Sequence, residues 1–293
     1  FSRSLYYGIF HSISAFCNAG FSVFDNKLVA YATTPMIHLT IACLVILGGL
    51  GFTVLRDLKA GLFDKNHAFK LSLHSKIVLS TTLFLIVSGT FTIFFSEFLH
   101  ALDNKTLWEK IQISFFHSVT LRTAGFYSVP LHHFHSYTLF IMTIYMFIGG
   151  SPGSTAGGIK TSTFAILVQS IKSTLKGRDH VEIFDRSIPN LMVVKTTAIT
   201  MISMIVTISF LFIMVKVEPR KTFLDLLFEV VSAFGTVGLS TGITPLLSPM
   251  GKLAITAVMY IGRVGPLTLV LAIGQKGRGP GRFQYPIGRV MIG

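Results

Sequence analysis

One phrase occurs three times in this chain: FHSISAFCNAGFS (Phe10–Ser22), FFHSVTLRTAGFY (Phe115–Tyr127) and FEVVSAFGTVGLS (Phe228–Ser240). Aligned without gaps, each places a phenylalanine (Phe10, Phe115, Phe228) ten positions before a glycine (Gly20, Gly125, Gly238). A short amphiphilic stretch leads into each phrase and a long apolar stretch follows it. Self-similarity at a period of about 105 to 115 residues calls for a repeat architecture before any other.

The apolar stretches fix the class. Of the 293 residues 51% are hydrophobic and 13% charged, about half the charge of a soluble domain. Met36–Leu55, Ile77–Phe95, Leu191–Val215 and Leu253–Ile273 are each near the roughly 20 residues that cross a bilayer, and Tyr137–Ser170 is a fifth, interrupted run. The expectation is an all-α polytopic membrane protein, multi-pass in a lipid bilayer.

The net charge of +13 reports topology. Basic residues cluster in the links Arg56–Lys76, Lys172–Lys195 and Lys276–Arg289. The alternate links, around Lys105–Lys110 and Lys216–Lys221, mix in Glu97, Asp103, Glu109 and Glu218. By the positive-inside rule the richer links are cytoplasmic. No basic face is interleaved with base-stacking aromatics, so nucleic acid is not an expected partner. Cys17 and Cys43 lie in apolar context and imply neither a disulfide framework nor a metal cluster. The opening residues lack the order of a cleaved signal peptide, and no membrane-crossing helix stands before the amphiphilic segment Ser4–Cys17.

The units read as spanning helix, short helix, glycine phrase, irregular return and second spanning helix. Residues 1–55 carry a partial unit without the leading helix. Residues 56–172 hold a unit with a basic link and an interruption at 149–161, residues 173–275 hold another, and 276–293 form a basic tail. The short helices, at Ser4–Cys17, Trp108–Thr120 and Thr222–Phe234, are too brief to span, so each is expected to be re-entrant. Backbone without regular structure is tolerated at membrane depth only where protein buries it or it lines a water-filled path. Three such loops imply a shared central pathway.

Extended backbone with its carbonyls turned to one side can replace the hydration shell of an alkali cation, as in potassium-channel filters. The candidate potassium-binding stretches are Asn18-Ala19-Gly20-Phe21, Thr123-Ala124-Gly125-Phe126 and Thr236-Val237-Gly238-Leu239. Glycine permits the backbone angles this needs, and Phe21, Phe126 and Leu239 are expected to wedge each loop against its helix. Helix-capping glycines at breaks in membrane helices are the alternative. Carboxylates are nearly absent from the phrases, Glu229 excepted, which speaks against a divalent-cation site.

With these phrases the chain resembles the superfamily of potassium transporters that includes the Trk and Ktr membrane subunits and the plant HKT proteins, and among them the bacterial Ktr membrane subunit above all. FCNAGFS, LRTAGF and GTVGLSTG are similar to its second, third and fourth filter segments. The resemblance implies four helix–pore-loop–helix repeats in one chain, each with a single filter glycine. The first repeat and the leading helix of the second have no counterpart in these residues. It further implies K+ as transported ion, with Na+ as the candidate coupling or activating ion. A homodimer with one pore per protomer is implied, as is a cytoplasmic ring of nucleotide-binding regulatory subunits of the RCK type and a place in the bacterial inner membrane. Lys59–Lys76, Lys172–Arg186 and the tail Lys276–Gly293 are the candidate contacts for that ring.

GGSPGSTAGGIKT (Gly149–Thr161) interrupts the fifth run. Glycine costs a helix about 1 kcal/mol each and proline about 3, so Gly149, Gly150, Pro152, Gly153, Gly157 and Gly158 end it. A phosphate-binding loop is excluded because Ile159 separates Gly158 from Lys160 and no strand precedes. A polar linker at mid-membrane reads as a gate beneath the filter, with Ser151, Ser154 and Thr155 among its residues, or as a passive kink. The family has an intramembrane loop here that obstructs the pore. Arg263 lies deep in an apolar run, where an arginine costs at least about 2.5–3.5 kcal/mol and needs a partner. It matches the family's arginine below the filter, and the Gly149–Gly158 carbonyls are its expected partners, as an electrostatic barrier, a structural tie or both.

Arg122 is expected to brace the middle phrase from behind, and Glu229 and His117 to be satisfied polar residues. The histidines of Leu131–His135 lack nearby acidic or cysteine company in the sequence, so no metal site is expected. No catalytic dyad is visible and the chain is not expected to be an enzyme. Two rival readings stand beside transport: a membrane enzyme holding a phosphorylated substrate at the glycine-rich segment, and a non-conducting fragment or scaffold.

Overall fold

The computed structural model describes residues 2–24, 26–63, 71–178 and 180–265. The tail 276–293, the far end of the Leu253–Ile273 run and part of the Lys59–Lys76 link lie outside the described residues.

The helices follow the apolar pattern. In order they are α1 (Ser2–Phe16), α2 (Pro35–Leu50), α3 (Phe52–Phe63), α4 (Leu73–Glu97), α5 (Leu107–Thr120), α6 (Ser136–Phe147), α7 (Thr161–Leu175), α8 (Asn190–Val217), α9 (Phe223–Gly235) and α10 (Pro249–Val264). At 25 and 28 residues, α4 and α8 are long and apolar enough to cross a membrane. The helices that lead into the phrases, α1, α5 and α9, have 15, 14 and 13 residues. At 1.5 Å per residue they reach only about 20 Å, short of the ~30 Å hydrocarbon core. After each phrase the chain makes one 3-10 turn, at Val29–Tyr31, Leu131–His133 and Thr244–Leu246, before the next helix begins.

Helix starts are set chemically. Thr106 and Glu109 form a reciprocal capping box at α5, and Thr222 caps Asp225 at the equivalent place on α9, signals present in the sequence as TLWE and TFLD. Two buried carboxylates then tie neighbouring helices. Glu97, the last residue of α4, accepts from the His135 N–H (2.9 Å) at the start of α6 and from the Thr138 hydroxyl. Glu218, just past α8, accepts from the Ser248 N–H (2.6 Å) at the start of α10. In both units an acid at the end of the leading helix satisfies the first orphan donor of the second helix.

The units close on one another in sequence order. α2 packs on α5 and α6 on α9, so the second helix of one unit covers the phrase-bearing helix of the next. Phe116, Phe228 and Phe234 are fully buried at these seams.

One expectation needs correction. Met36–Leu55 is not one span: the chain bends by 104° between α2 and α3. Gly51 is left-handed there (φ +87°), and the Phe52 N–H leaves the helix to donate to Gly153 of another unit (3.2 Å). The all-α class holds, with one small addition to it. The basic link after α7 folds as a two-stranded hairpin, β1 (Val181–Ile183) and β2 (Arg186–Ile188). Phe184 and Asp185 turn it with φ of +49° and +58°, the double left-handed turn that suits strand twist. Hydrogen bonds from Gln169 and Ser173 of α7 hold it against that helix.

The carboxylate ties make a stability prediction. Glu97→Ala leaves the His135 N–H and the Thr138 hydroxyl unpaired and should cost about 3 kcal/mol, read as a lower thermal midpoint of the detergent-solubilised protein. An unchanged midpoint would contradict it. Hydrogen bonding from Ser248 holds the Glu218 carboxyl below the usual carboxylate range. Its stabilisation is therefore complete above the ordinary pKa and is lost as pH falls through the depressed one. Glu218→Gln should remove that part of the acid sensitivity; identical acid limbs for both proteins would refute it.

Candidate functional site

The three phrases share one backbone conformation. In each, the polar residue and the glycine two places later are both left-handed: Asn18 (φ +51°) and Gly20 (+69°), Thr123 (+68°) and Gly125 (+73°), Thr236 (+52°) and Gly238 (+80°). Alternating the hand of successive residues aims successive carbonyls to one side. For a β-branched threonine this is a true outlier, a strain of about 1–3 kcal/mol each, and it occurs at matching positions of two units.

The helix caps separate the glycines from a capping role. The Ala19 N–H donates to Ser14 O (2.9 Å) and the Asn18 N–H to Ala15 O (3.1 Å). Val237 and Thr236 repeat this on Ser232 O (2.8 Å) and Ala233 O (3.0 Å). This is the Schellman closure, with Asn18 and Thr236 as the left-handed cap residues. The glycine lies beyond the cap, in a second left-handed turn that the helix does not require. The Ser14 hydroxyl then donates to Phe21 O (2.8 Å) and the Ser232 hydroxyl to Leu239 O (2.6 Å), fastening the residue after each glycine back to its helix.

The glycines meet. A Cβ placed on Gly20 would lie 2.7 Å from Ala124 O and 3.0 Å from the Gly125 Cα. One on Gly125 would lie 2.6 Å from Val237 O, 3.2 Å from the Gly20 Cα and 3.4 Å from the Gly238 Cα. Gly125 is thus central, with Gly20 and Gly238 flanking it. The remaining side opens on a cavity of about 930 Å3 lined by Ala19, Gly20, Lys27, Gly238, Tyr260 and Arg263 among others. The Thr123 and Thr236 hydroxyls are buried without a partner among the described residues. A cluster of neutral main-chain and hydroxyl oxygens with few carboxylates suits a dehydrated monovalent cation better than a divalent one.

The bulky residues after the glycines divide. Phe126 and Leu239 are buried at 0% and 2% exposure and pack as wedges, whereas Phe21 is 68% exposed and does not wedge its loop. It faces the open side of the cluster, where its phrase has no neighbour among the described residues.

The glycine-rich segment joins α6 to α7 as an ordered loop. Gly149 N–H donates to Ile159 O (2.8 Å), Thr161 N–H to Gly150 O (3.0 Å), and the Lys160 ammonium to Ala156 O (2.6 Å). The loop docks on the broken end of α2, where the Ser151 N–H donates to Gly49 O (3.0 Å) and the Thr155 hydroxyl to Gly48 O (3.2 Å). Ser154 closes a turn on Ser151 O, and Gly51 accommodates Pro152 O at close range. Gly157 abuts Gly235 and Thr236, so closely that any side chain there would overlap the Thr236 hydroxyl. From Gly149 to Gly158 the loop therefore touches the bases of the first and last phrases. Arg263 donates to Thr155 O, a carbonyl within the stretch expected to receive it.

Sequence reasoning missed a glycine pattern that the three second helices share. LGGLG (Leu47–Gly51), IGGSP (Ile148–Pro152) and IGRVG (Ile261–Gly265) align, and their helices end at Leu50, Phe147 and Val264. Gly48 and Gly262 let a helix close on carbonyls in the last turns of α1 and α9, at Phe16 and Phe234, where a Cβ would overlap the oxygen. On Gly149 the packed carbonyl belongs to Gly157 of the loop itself. The signal was the glycine at the second position of each stretch, Gly48, Gly149 and Gly262, hidden because small residues are ordinary in membrane helices.

The remaining candidates fall outside this cluster. Arg122 is buried and lines a small gap with Val45, Ile46, Gly49 and Val119, behind the middle phrase. Glu229 accepts from Thr244 through one oxygen and His117 accepts from the Val129 N–H (3.3 Å), but Glu229 Oε2 and His117 Nδ1 have no partner among the described residues. Each is half satisfied. His135 gains acidic company through Glu97 and His100. Both Glu97 oxygens already accept hydrogen bonds, however, and the two imidazoles are stacked 3.7 Å apart at 22°. Parallel rings cannot both direct an in-plane lone pair at one ion.

Comparison with known proteins agrees with this geometry. The family described as TrkH, cation transport protein, matches residues 2–276. The chain is 39% identical to "Ktr system potassium uptake protein B" of Bacillus subtilis (strain 168), over 100% of this chain and 64% of that protein. It is 36% identical to "Potassium/sodium uptake protein NtpJ" of Enterococcus hirae, over 100% and 65%, and 38% identical to "Ktr system potassium uptake protein B" of Vibrio alginolyticus, over 99% and 63%. The chain thus spans just under two thirds of the length of these relatives. The crystal structure of the potassium transporter TrkH from Vibrio parahaemolyticus superposes with a TM-score of 0.74 at 18% identity, covering 91% of this chain and 58% of that one, and shares the fold. A membrane chain of glycine-pivoted helical repeats that matches this family from residue 2 to residue 276 belongs to the TrkH cation transport family.

Proposed function

We propose that this chain forms most of the pore of a potassium-conducting membrane transporter, and that it performs no covalent chemistry. The observation that carries the reading is the contact of Gly20, Gly125 and Gly238, each left-handed and each two residues past a left-handed polar residue. In this reading the carbonyls of Asn18–Phe21, Thr123–Phe126 and Thr236–Leu239 replace the water around K+ on three sides. The second, third and fourth repeats occupy 1–55, 56–172 and 173–275, and a further filter segment closes the open side. The length of the relatives beyond this chain accommodates one.

The loop Gly149–Thr161 and Arg263 act as the gate. Support comes from the contacts of Gly157 with Thr236 and of the Thr155 hydroxyl with Phe16 O (3.5 Å), which set the loop against the bases of the first and last phrases at once. The Arg263 guanidinium on Thr155 O ties the last helix to that loop and puts a positive charge on the cation's route. Transport in the bacterial inner membrane, Na+ as coupling or activating ion, a homodimer and a nucleotide-binding ring on the basic links belong to the same proposal. Na+ is supported by a relative named as a potassium/sodium uptake protein, and a cytoplasmic face for the ring by the asymmetry of the basic links.

Two outcomes test it. Gly125→Ser or Gly238→Ser in the full-length protein should erode K+-over-Na+ preference about tenfold, since a side chain at positive φ costs roughly 1–2 kcal/mol. Unaltered ion preference in a proteoliposome flux assay counts against the filter. Shortening Gly153–Gly158, or Arg263→Ala, should raise K+ flux several-fold, by the order of magnitude that losing one or two hydrogen bonds implies, with ion preference retained. Zero flux from correctly folded protein would contradict the gate.

A further inference from the structure

Lys27 stands in the return that follows the first phrase, and its side chain crosses to the other two. Its ammonium donates to the carbonyl oxygens of both Gly125 and Gly238, at 3.3 Å for the second, and lies 5.4 Å from the centroid of the Tyr127 ring. These are the carbonyls of two of the three glycines whose contact defines the proposed filter. One side chain thus bridges main-chain oxygens from two units while its own backbone belongs to a third.

The backbone around Lys27 holds the ammonium there. Lys27 is itself left-handed (φ +51°), a conformation uncommon for a residue with a side chain. Its N–H donates to Phe24 O (3.2 Å), and the next N–H, of Leu28, donates to Tyr127 O (3.2 Å) in the return of the middle phrase. The Leu28 side chain is 1% exposed and packs with Ala15, Phe116 and Phe126. The turn is therefore anchored by a buried leucine and a cross-unit hydrogen bond, and the lysine stem has one direction to run.

A protonated lysine ends in a compact monovalent cation with several donors. To a ring of carbonyls it offers what a dehydrated alkali ion offers: one positive charge at short range and no hydration shell. From this we propose that Lys27 is a tethered cation that occupies the filter mouth and competes with the arriving K+, so that it sets the apparent affinity for the transported ion. The proposal rests on the filter reading above. An incoming ion must displace the ammonium, and its apparent affinity falls by the fraction of time the mouth is free. A lysine that only braced two filter segments would instead alter ion preference or stability when removed.

The experiment is K+ uptake by the full-length protein in proteoliposomes, with Rb+ as tracer. Lys27→Gln and Lys27→Met should lower KM for K+ about tenfold, as for a self-ligand that fills its site nine-tenths of the time, with K+-over-Na+ preference retained. In a background with Cys17→Ser and Cys43→Ser, Lys27→Cys should behave likewise. Attaching an aminoethyl group through a thiosulfonate should then raise KM again, while a neutral methyl group should not. An unchanged KM in Lys27→Gln and Lys27→Met, or equal effects of the charged and neutral adducts, overturns the proposal. A loss of ion preference instead assigns Lys27 to bracing and overturns it as well. Failure of the filter reading is read separately, as absence of K+ preference in the unsubstituted protein.

Discussion

Everything in this molecule answers to one constraint: peptide carbonyls at membrane depth must either bond within the protein or face something that takes the place of water. The phrases do both along a few residues. Up to the left-handed Asn18 and Thr236 the carbonyls are claimed by helix and Schellman bonds. Two residues later the glycine turns the chain again: Ala124 O and Val237 O, just before their glycines, lie against the neighbouring phrases, and Phe21 O and Leu239 O return to serines of their own helices. The polar residue ends the helix and the glycine aims the backbone, so neither can do the other's work. Threonine accepts an unfavourable conformation at two of these positions, a strain the packing of α5 and α9 sustains.

The same constraint accounts for the second helices. α2 ends at a glycine-rich break whose freed groups are satisfied by another unit, whereas α6 ends two residues before Gly149 and the loop that follows closes partly on itself. Gly48 and Gly49 carbonyls receive Thr155 and Ser151 of the loop, and Gly153 O receives Phe52 N–H. The loop and the break in α2 are therefore one hydrogen-bonded object made by two units. That object meets the base of the last phrase at Gly157, which has no room for a side chain against Thr236. This gives the gate proposal its mechanical content, since loop and filter base cannot shift independently.

How far the sequence disclosed this depends on range. The short helices, the phrases and the interruption at Gly149–Thr161 were legible because each is a local pattern: a capping box, an apolar period, a cluster of glycine and proline. The bend at Gly51 was not, because what breaks α2 is Pro152–Gly153 of another unit, and GGLG alone reads as an ordinary small-residue stripe. Glu97 and Glu218 read as link charges, since nothing near them in sequence announces that each caps a helix 30 or more residues away. Phe21 shares its position with Phe126 and Leu239 but not their burial, because burial depends on what neighbours the phrase. Lys27 carried no signal at all, for its partners come from two other units.

The central claim is that main-chain oxygens from separate units converge on a dehydrated monovalent cation. The most direct measurement is an anomalous-scattering map of crystals of the full-length protein grown in Rb+ or Tl+. The account predicts a peak on the line enclosed by the carbonyls of Gly20, Gly125 and Gly238, lost when Na+ replaces the heavier ion. A map with ordered glycines, no peak among them and the ion held elsewhere by side-chain carboxylates would contradict it.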